Sequence, residues 1–243
     1  MKRLLSTAAL TLLCGLPLTA TAQDISVSTS VDVVSDYVFR GVSLADTAIQ
    51  PGVEVSTGDF TVGAWFSTGF GNTSPAAGDE LDLYASYSVP LSDSFSTDVG
   101  ITYYHYPQGG SLFGTDGGNA GSYEVFGSLG FDTILAPSVS AYYDFTLEAF
   151  TLEGGISHSL PIAEKTSLDL GGTVGLVDGD GFSYEYGQAS ASVGYGFTDN
   201  VSAYIGGNFT VNSEDALNFR DLVIDGEGDD TLLWFGAGVA AGF

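Results

Sequence analysis

The chain has 243 residues, of which 30 are Asp or Glu and 5 are Lys or Arg. Such an excess of negative charge is repelled by phosphate backbones, which excludes a nucleic-acid-binding protein. Because 44% of the residues are hydrophobic and 13% are aromatic, the chain also has too much apolar surface for a disordered protein.

Residues 1–22 have the features of a cleavable signal peptide. Lys2 and Arg3 form a basic start, an apolar stretch follows, and Ala20-Thr21-Ala22 is a small-x-small cleavage site. We therefore expect an exported mature chain that begins at Gln23. The single cysteine, Cys14, lies inside the signal peptide, so the mature chain is predicted to have neither a disulfide bond nor a lipid anchor.

Beyond residue 22, no apolar run is long enough for a membrane-spanning helix, which needs about 18 residues or more. Polar and apolar residues alternate instead, with the period of two that is typical of β-strands. In the first predicted strand, residues 27–40, Asp32, Asp36 and Arg40 share one face. The later predicted strands are roughly 49–57, 60–70, 81–89, 95–103, 122–132, 139–147, 151–160, 167–177, 184–197, 201–211 and 231–243.

The lengths of the connections between these strands also alternate. Connections such as Gly58-Asp59 are short, whereas 71–79, 106–121, 178–183 and 212–230 are longer or rich in glycine. An even number of strands with alternating turns returns both termini to one end, as in bacterial outer-membrane barrels. We therefore predict an all-β fold, a transmembrane antiparallel up-and-down β-barrel of about 12 strands, with residues 23–243 as its single domain. The alternative is a secreted β-sandwich.

The stretch Ser35-Asp36-Tyr37-Val38-Phe39-Arg40-Gly41-Val42-Ser43, followed by Pro51-Gly52-Val53 and then Ala64-Trp65, resembles the TorF-type family of porin-like bacterial outer-membrane proteins. The resemblance is strongest over residues 31–66. It implies an outer-membrane barrel with a pore role, and it provides no catalytic residue.

One face of the predicted strands is rich in carboxylates. Carboxylates are costly to bury in dry protein, so their number favours a water-filled lumen, where they would attract cations and repel anions. Alternatively, they hydrate the strand ends or hold the wall together. Arg40 either narrows the pore or binds an anionic group, or it neutralises carboxylates. Its expected partners are Asp36 and acids on neighbouring strands. The predicted pore-lining residues are Asp32, Asp36, Arg40, Glu54, Trp65, Asp82, Asp98, Glu124, Asp144, Glu153 and Asp169.

Catalysis has little support in the sequence. The two histidines, His105 and His158, share the apolar parity of their strands and lie near strand ends, so we expect them at the lipid interface. No cluster has the spacing of a cofactor or metal site. The acidic, glycine-rich segments 178–181 and 225–230 leave binding of divalent cations open. We therefore expect no enzymatic activity and no cofactor.

The sequence thus predicts a porin-like protein of the bacterial outer membrane that lets small hydrophilic solutes diffuse passively, with a preference for cations. The expected partners are outer-membrane lipid, the barrel assembly machinery that recognises a terminal aromatic residue such as Phe243, and the solutes themselves; a homo-oligomer is left open. Two alternatives remain: a non-conducting barrel that acts through its surface loops, and a channel for apolar or aromatic small molecules.

Overall fold

The computed structural model describes residues 25–70, 79–92, 94–113, 121–214 and 228–243. The predicted signal peptide lies outside these residues, as do parts of the predicted connections 71–79, 106–121 and 212–230. No helix in the described ranges is long and apolar enough to span a membrane. Their strands are β1 Ile25–Val34, β2 Tyr37–Phe39, β3 Val42–Ala45, β4 Ala48–Thr57, β5 Phe60–Gly69, β6 Glu80–Ser92, β7 Phe95–His105, β8 Gly121–Phe131, β9 Ser138–Asp144, β10 Ala149–Ala163, β11 Thr166–Gly179, β12 Phe182–Gly196, β13 Val201–Asn212 and β14 Thr231–Gly242, with a short 3-10 turn at Pro107–Gly109.

Twelve of these strands, β1 and β4–β14, form a closed antiparallel barrel, which confirms the predicted fold class. Each barrel strand pairs with the next barrel strand along the chain, β1 with β4 across the β2–β3 segment, and β14 closes the barrel against β1. The seam is continued at the C-terminus, where the N–H of Phe243 donates to the carbonyl of Val27 at 2.8 Å. Closure leaves no unpaired strand edge, so the backbone polar groups of the wall are satisfied by their neighbours.

The outer face of the barrel is apolar and the inner face is mostly polar or small. On β14, Leu233 and Phe235 are 60% and 56% exposed, while the intervening Trp234 is buried against the lumen. Val53, Ile101 and Val239 continue the exposed apolar surface on other strands. A continuous apolar belt of this kind requires a lipid environment, because soluble proteins rarely expose such patches.

The two ends of the barrel differ. The end that carries Ile25 and Phe243, called the terminal end below, has short connections, including Gly58-Asp59 and residues 164–165. The opposite end is called the loop end. There the connection is shorter than the predicted bounds 178–183, because β11 and β12 extend until only Asp180 and Gly181 separate them, with Gly181 at φ +83°. Glycine adopts this left-handed conformation without steric cost, which permits so tight a connection.

The prediction that the first strand continues to Arg40 is also wrong. β1 ends at Val34, and residues 35–47 fold into the barrel, where β2 and β3 form a separate two-stranded sheet. We call residues 35–47 the lumenal hairpin. The chain turns at Arg40 and Gly41, whose φ values of +46° and +78° are those of a two-residue hairpin turn between Phe39 and Val42. Polar and apolar residues continue to alternate across this turn, so the sequence pattern alone does not show where β1 ends.

Candidate functional site

The lumen contains a repeated arrangement of a tyrosine, a glycine and a carboxylate on three adjacent strands. Tyr84 on β6 stands opposite Gly63 on β5, which stands opposite Glu54 on β4. The phenol of Tyr84 donates to Glu54 Oε2 at 3.1 Å. A Cβ atom added to Gly63 would lie 2.2 Å from Cζ of Tyr84, so the ring lies directly over the glycine. Glycine therefore lets the ring cross one strand and reach the next.

Two further rows repeat this geometry. Tyr204 on β13 lies across Gly238 on β14 and donates to Asp32 Oδ1 at 2.7 Å. Tyr186 on β12 lies across Gly175 on β11 and donates to Glu153 on β10. We call the three arrangements the Tyr-Gly-carboxylate rows. In each row a neutral hydroxyl holds a carboxylate against the wall, which satisfies one oxygen while leaving the negative charge in place.

Other inward carboxylates accept hydrogen bonds from serine. Ser88 donates to Asp98 at 2.6 Å and Ser167 donates to Asp169 at 2.7 Å. Asp144, near the loop end, accepts from the Ser122 hydroxyl and from the backbone N–H groups of residues 146 and 147. Asp144 therefore also stabilises the connection from β9 to β10.

A pair of carboxylates on β6, Glu80 and Asp82, lies beside the lumenal hairpin. Glu80 is 2% exposed and accepts a hydrogen bond from the hydroxyl of Tyr37 at 3.0 Å. Burial, followed by the charges of Glu80 and Asp82, raises the pKa of Tyr37 far above its usual value. The phenol therefore stays protonated and remains a donor to Glu80.

Arg40, at the tip of the lumenal hairpin, forms a two-pronged ion pair with Glu124 on β8. Nη1 and Nη2 lie 2.6 and 2.8 Å from the two carboxylate oxygens. The guanidinium also lies over the ring of Tyr142, 4.1 Å from its centroid, and Tyr104 donates to Glu124 Oε1 at 3.0 Å. Parallel N–H···O bonds and a ring face are both favourable for guanidinium, which lysine could not match.

The described residues contain no group of three or more His, Cys, Asp or Glu side chains placed to hold a metal ion. Of the five basic residues, Arg40 and Lys165 lie in the described part of the chain. Lys165 is exposed at a terminal-end turn, where its Nζ donates to the carbonyl of Phe197 at 3.3 Å. The geometry of this lumen is therefore that of a polar, acidic cavity wall in which hydroxyls are the usual hydrogen-bond donors.

A sequence profile of the Gcw_chp family, described as bacterial proteins of unknown function, matches residues 19–186. The chain belongs to the Gcw_chp family. No curated protein sequence matches it.

Solved structures of outer-membrane porins resemble this Gcw_chp protein in fold. The NanC porin has a TM-score of 0.53 at 14% identity, and the KdgM porin has a TM-score of 0.56 at 12% identity. A second KdgM structure, in complex with disordered oligogalacturonate, has a TM-score of 0.55 at 11% identity. Each comparison covers 90% of this chain and 99% of the other chain. At such low identity the likeness shows a shared porin-type barrel and no more.

The predicted pore-lining residues of this Gcw_chp protein fall into two groups. Asp36 and Arg40 lie on the lumenal hairpin and not on a barrel strand. Of the expected kinds of partner, Arg40 binds a strand carboxylate, Glu124 on β8, and Asp36 accepts from the hydroxyl of Ser35 at 2.8 Å. The other predicted residues lie on barrel strands and face the lumen: Asp32, Glu54, Trp65, Asp82, Asp98, Glu124, Asp144, Glu153 and Asp169.

Sequence reasoning missed Tyr37 and Glu80 as part of the lumen. On a first strand that continues to Arg40, Tyr37 falls on the face opposite Asp36, whereas in the structure β1 ends at Val34 and Tyr37 donates to Glu80. Trp65, which was predicted to face the lumen, packs against Tyr37 with ring centroids 5.4 Å apart. The Arg-Gly pair at the tip was the signal that a turn interrupts the strand.

Proposed function

We propose that this protein is an outer-membrane channel through which small hydrophilic solutes diffuse passively, and that its lumen favours cations. The porin-type fold and the apolar outer belt support a membrane channel. The resemblance of residues 35–43 to TorF-type porin-like proteins points the same way. On this proposal, the signal peptide directs export, the assembly machinery and outer-membrane lipid are the partners, and transport needs neither a cofactor nor a covalent step.

The cation preference depends on one observation, the bonding of the lumenal carboxylates. Asp32 and Glu54 accept from tyrosines, and Asp98 and Asp169 accept from serines. These donors are neutral, so they orient the carboxylates without cancelling their charge. Fixed negative charges along a wet lumen raise the local concentration of cations and repel anions.

The same charge argues against an acidic sugar as solute. The KdgM porin has been seen with oligogalacturonate, a polyanion, whereas Lys165 lies on an exposed turn and Arg40 is already bonded to Glu124. We therefore propose small cations and neutral hydrophilic molecules as the solutes that pass.

Planar-bilayer recording across a salt gradient tests the proposal. The reversal potential should shift toward that of the cation, and the triple variant Glu54→Gln, Asp98→Asn, Asp169→Asn should reduce the shift, because the amides keep the shape but lose the charge. Glu164→Gln, at an exposed terminal-end turn, is the matched control and should leave the shift unchanged. Anion preference in the unmodified channel would contradict the proposal.

A second candidate is a barrel that does not conduct and acts through its surface loops. One observation favours it: the lumenal hairpin contacts the wall on several sides of the lumen. If folded protein gives no channel events, both as the unmodified chain and as a variant that lacks the lumenal hairpin, this second function is favoured over the first.

A further inference from the structure

The lumenal hairpin is an insertion that the barrel wall does not need. Val34, the last residue of β1, pairs directly with Ala48, the first residue of β4. The two strands would therefore meet in an ordinary β-hairpin if residues 35–47 were replaced by a two-residue turn. The segment is attached to the wall at both of its ends, and its position inside the lumen depends on contacts made by its own side chains and backbone.

These contacts reach opposite parts of the wall. On one side, Tyr37 donates to Glu80 on β6, and Phe39 packs edge-on against Tyr104 on β7 with ring centroids 6.0 Å apart. On the other side, the side-chain amide of Asn212 on β13 donates to the carbonyl of Gly41 at 2.9 Å. The hairpin therefore bridges the lumen from β6–β8 to β13.

Gly41 shows how closely the tip fits the wall. An added Cβ would lie 2.4 Å from Cβ of Tyr186 on β12. Tyr186 belongs to one of the Tyr-Gly-carboxylate rows, so the hairpin tip presses against a ring that the wall already holds in place. The tip therefore fits closely against β12 and β13, and we call this contact surface its seat.

The sheet of the hairpin is too small to hold this position alone. It has three residue pairs, with an irregularity between Tyr37 and Val38, and two-stranded sheets of this size are marginal in water. Arg40 supplies the charged attachment, since it makes both of its bonds to Glu124, a wall residue that is 2% exposed. Without Arg40, Glu124 would be a buried carboxylate that keeps the Tyr104 hydroxyl as a donor but loses its cation.

We propose that the lumenal hairpin is a gate whose closed position is held by the Arg40–Glu124 ion pair, and that it sets the size of the solutes that pass the loop end. This inference rests on the proposed channel function. When the ion pair opens, the hairpin leaves its seat against β12 and β13, and the lumen widens where Arg40 and Phe39 had bridged it. The gate is a size filter, and the carboxylates of the barrel wall remain the charge filter.

Single-channel recording of four proteins tests the gate. The first is the unmodified mature chain. The second has residues 35–47 replaced by Asn-Gly, and it should conduct severalfold more and admit larger neutral sugars in vesicle-swelling assays. The third, Arg40→Met, should show frequent transitions to a similar high-conductance level. The fourth, Arg40→Glu with Glu124→Arg, restores the pair in reverse and should return toward the unmodified conductance.

Two controls keep the result interpretable. Lys165→Met removes a basic residue at an exposed turn and should change nothing. Folding of every variant is checked by its heat-dependent migration on gels. If Arg40→Met does not fold, Arg40→Lys takes its place, because it keeps the charge, loses the two-pronged geometry and should give a smaller increase in opening.

The outcomes separate the gate from the channel. If the hairpin-less protein and the unmodified protein conduct equally, the gate is wrong while the channel stands. If the hairpin-less protein conducts more but Arg40→Met behaves like the unmodified protein, the ion pair does not hold the gate. If only the hairpin-less protein conducts, the gate is supported as a complete seal. If folded protein never conducts in either form, both the gate and the proposed function are wrong.

Discussion

The Tyr-Gly-carboxylate rows predict an unusual response to a conservative change, Gly63→Ala. Alanine normally stabilises a strand relative to glycine by about 0.5–1 kcal/mol, because glycine loses more backbone entropy on folding. Here the new Cβ would lie 2.2 Å from Cζ and 2.3 Å from Oη of Tyr84. The ring must swing away from the wall, which breaks its 3.1 Å hydrogen bond to Glu54.

The expected loss can be estimated from the bond that breaks. A hydrogen bond to a charged group contributes about 1.5–3 kcal/mol, and the displaced ring also loses its contacts with the wall. We expect the free energy of unfolding to fall by about 2–4 kcal/mol once those contacts are included. Urea unfolding in lipid vesicles, followed by the fluorescence of Trp65 and Trp234, measures this change.

A double-mutant cycle identifies the cause. In a Tyr84→Ala background, Gly63→Ala should be neutral or stabilising, because no ring remains to be displaced. Gly236→Ala is the matched control on the lumenal face: its Cβ would lie 3.4 Å from the nearest atom, on Val34, which is an ordinary contact. If Gly63→Ala costs the same with and without Tyr84, the rows do not stabilise the wall as described.

Two further predictions concern single side chains. Tyr186→Phe keeps the ring and removes the donor to Glu153, so the free energy of unfolding in the same assay should fall by about 1.5–3 kcal/mol. The control, Tyr87→Phe, lies on the exposed outer face and should change that free energy little. Equal losses in the two variants would contradict the prediction. On the proposal that the assembly machinery recognises the terminal aromatic residue, Phe243→Ala should lower the yield of folded barrel in outer-membrane fractions. Leu233→Ala, on β14 and similarly exposed, is the control and should not lower it. Equal yields from the two variants would show that the ring at 243 has no role in assembly.

The barrel could be predicted from the sequence because its signal is local. Each strand alternates with period two, and lipid on one side and a polar lumen on the other keep that alternation regular, as at Leu233, Trp234 and Phe235. The lumenal hairpin could not be predicted because Tyr37 and Phe39 continue the alternation of β1, and because Arg-Gly is a weaker turn signal than Asn-Gly or Asp-Gly.

The partners of the lumenal side chains could not be predicted because they depend on strand register. Tyr204 and Asp32 are 172 residues apart in the chain, and they meet because β14 lies between β13 and β1 in a closed barrel. Arg40 and Glu124 are 84 residues apart and meet across the lumen. Their pairing follows from the path of the hairpin and not from any spacing in the sequence.

Because the donors are hydroxyls, they stabilise the wall without reducing the negative charge of the lumen. A lysine or arginine opposite Glu54 would have stabilised that carboxylate and cancelled its charge together, whereas Tyr84 stabilises it and leaves the charge in place. Glu124 is the instructive contrast, because it accepts from both a tyrosine, Tyr104, and a cation, Arg40. The cation is found where the lumenal hairpin meets the wall, and the neutral donors are found between neighbouring strands of the wall itself. The distribution of donors thus assigns the Tyr-Gly-carboxylate rows to the fixed acidic wall and the Arg40–Glu124 pair to the hairpin.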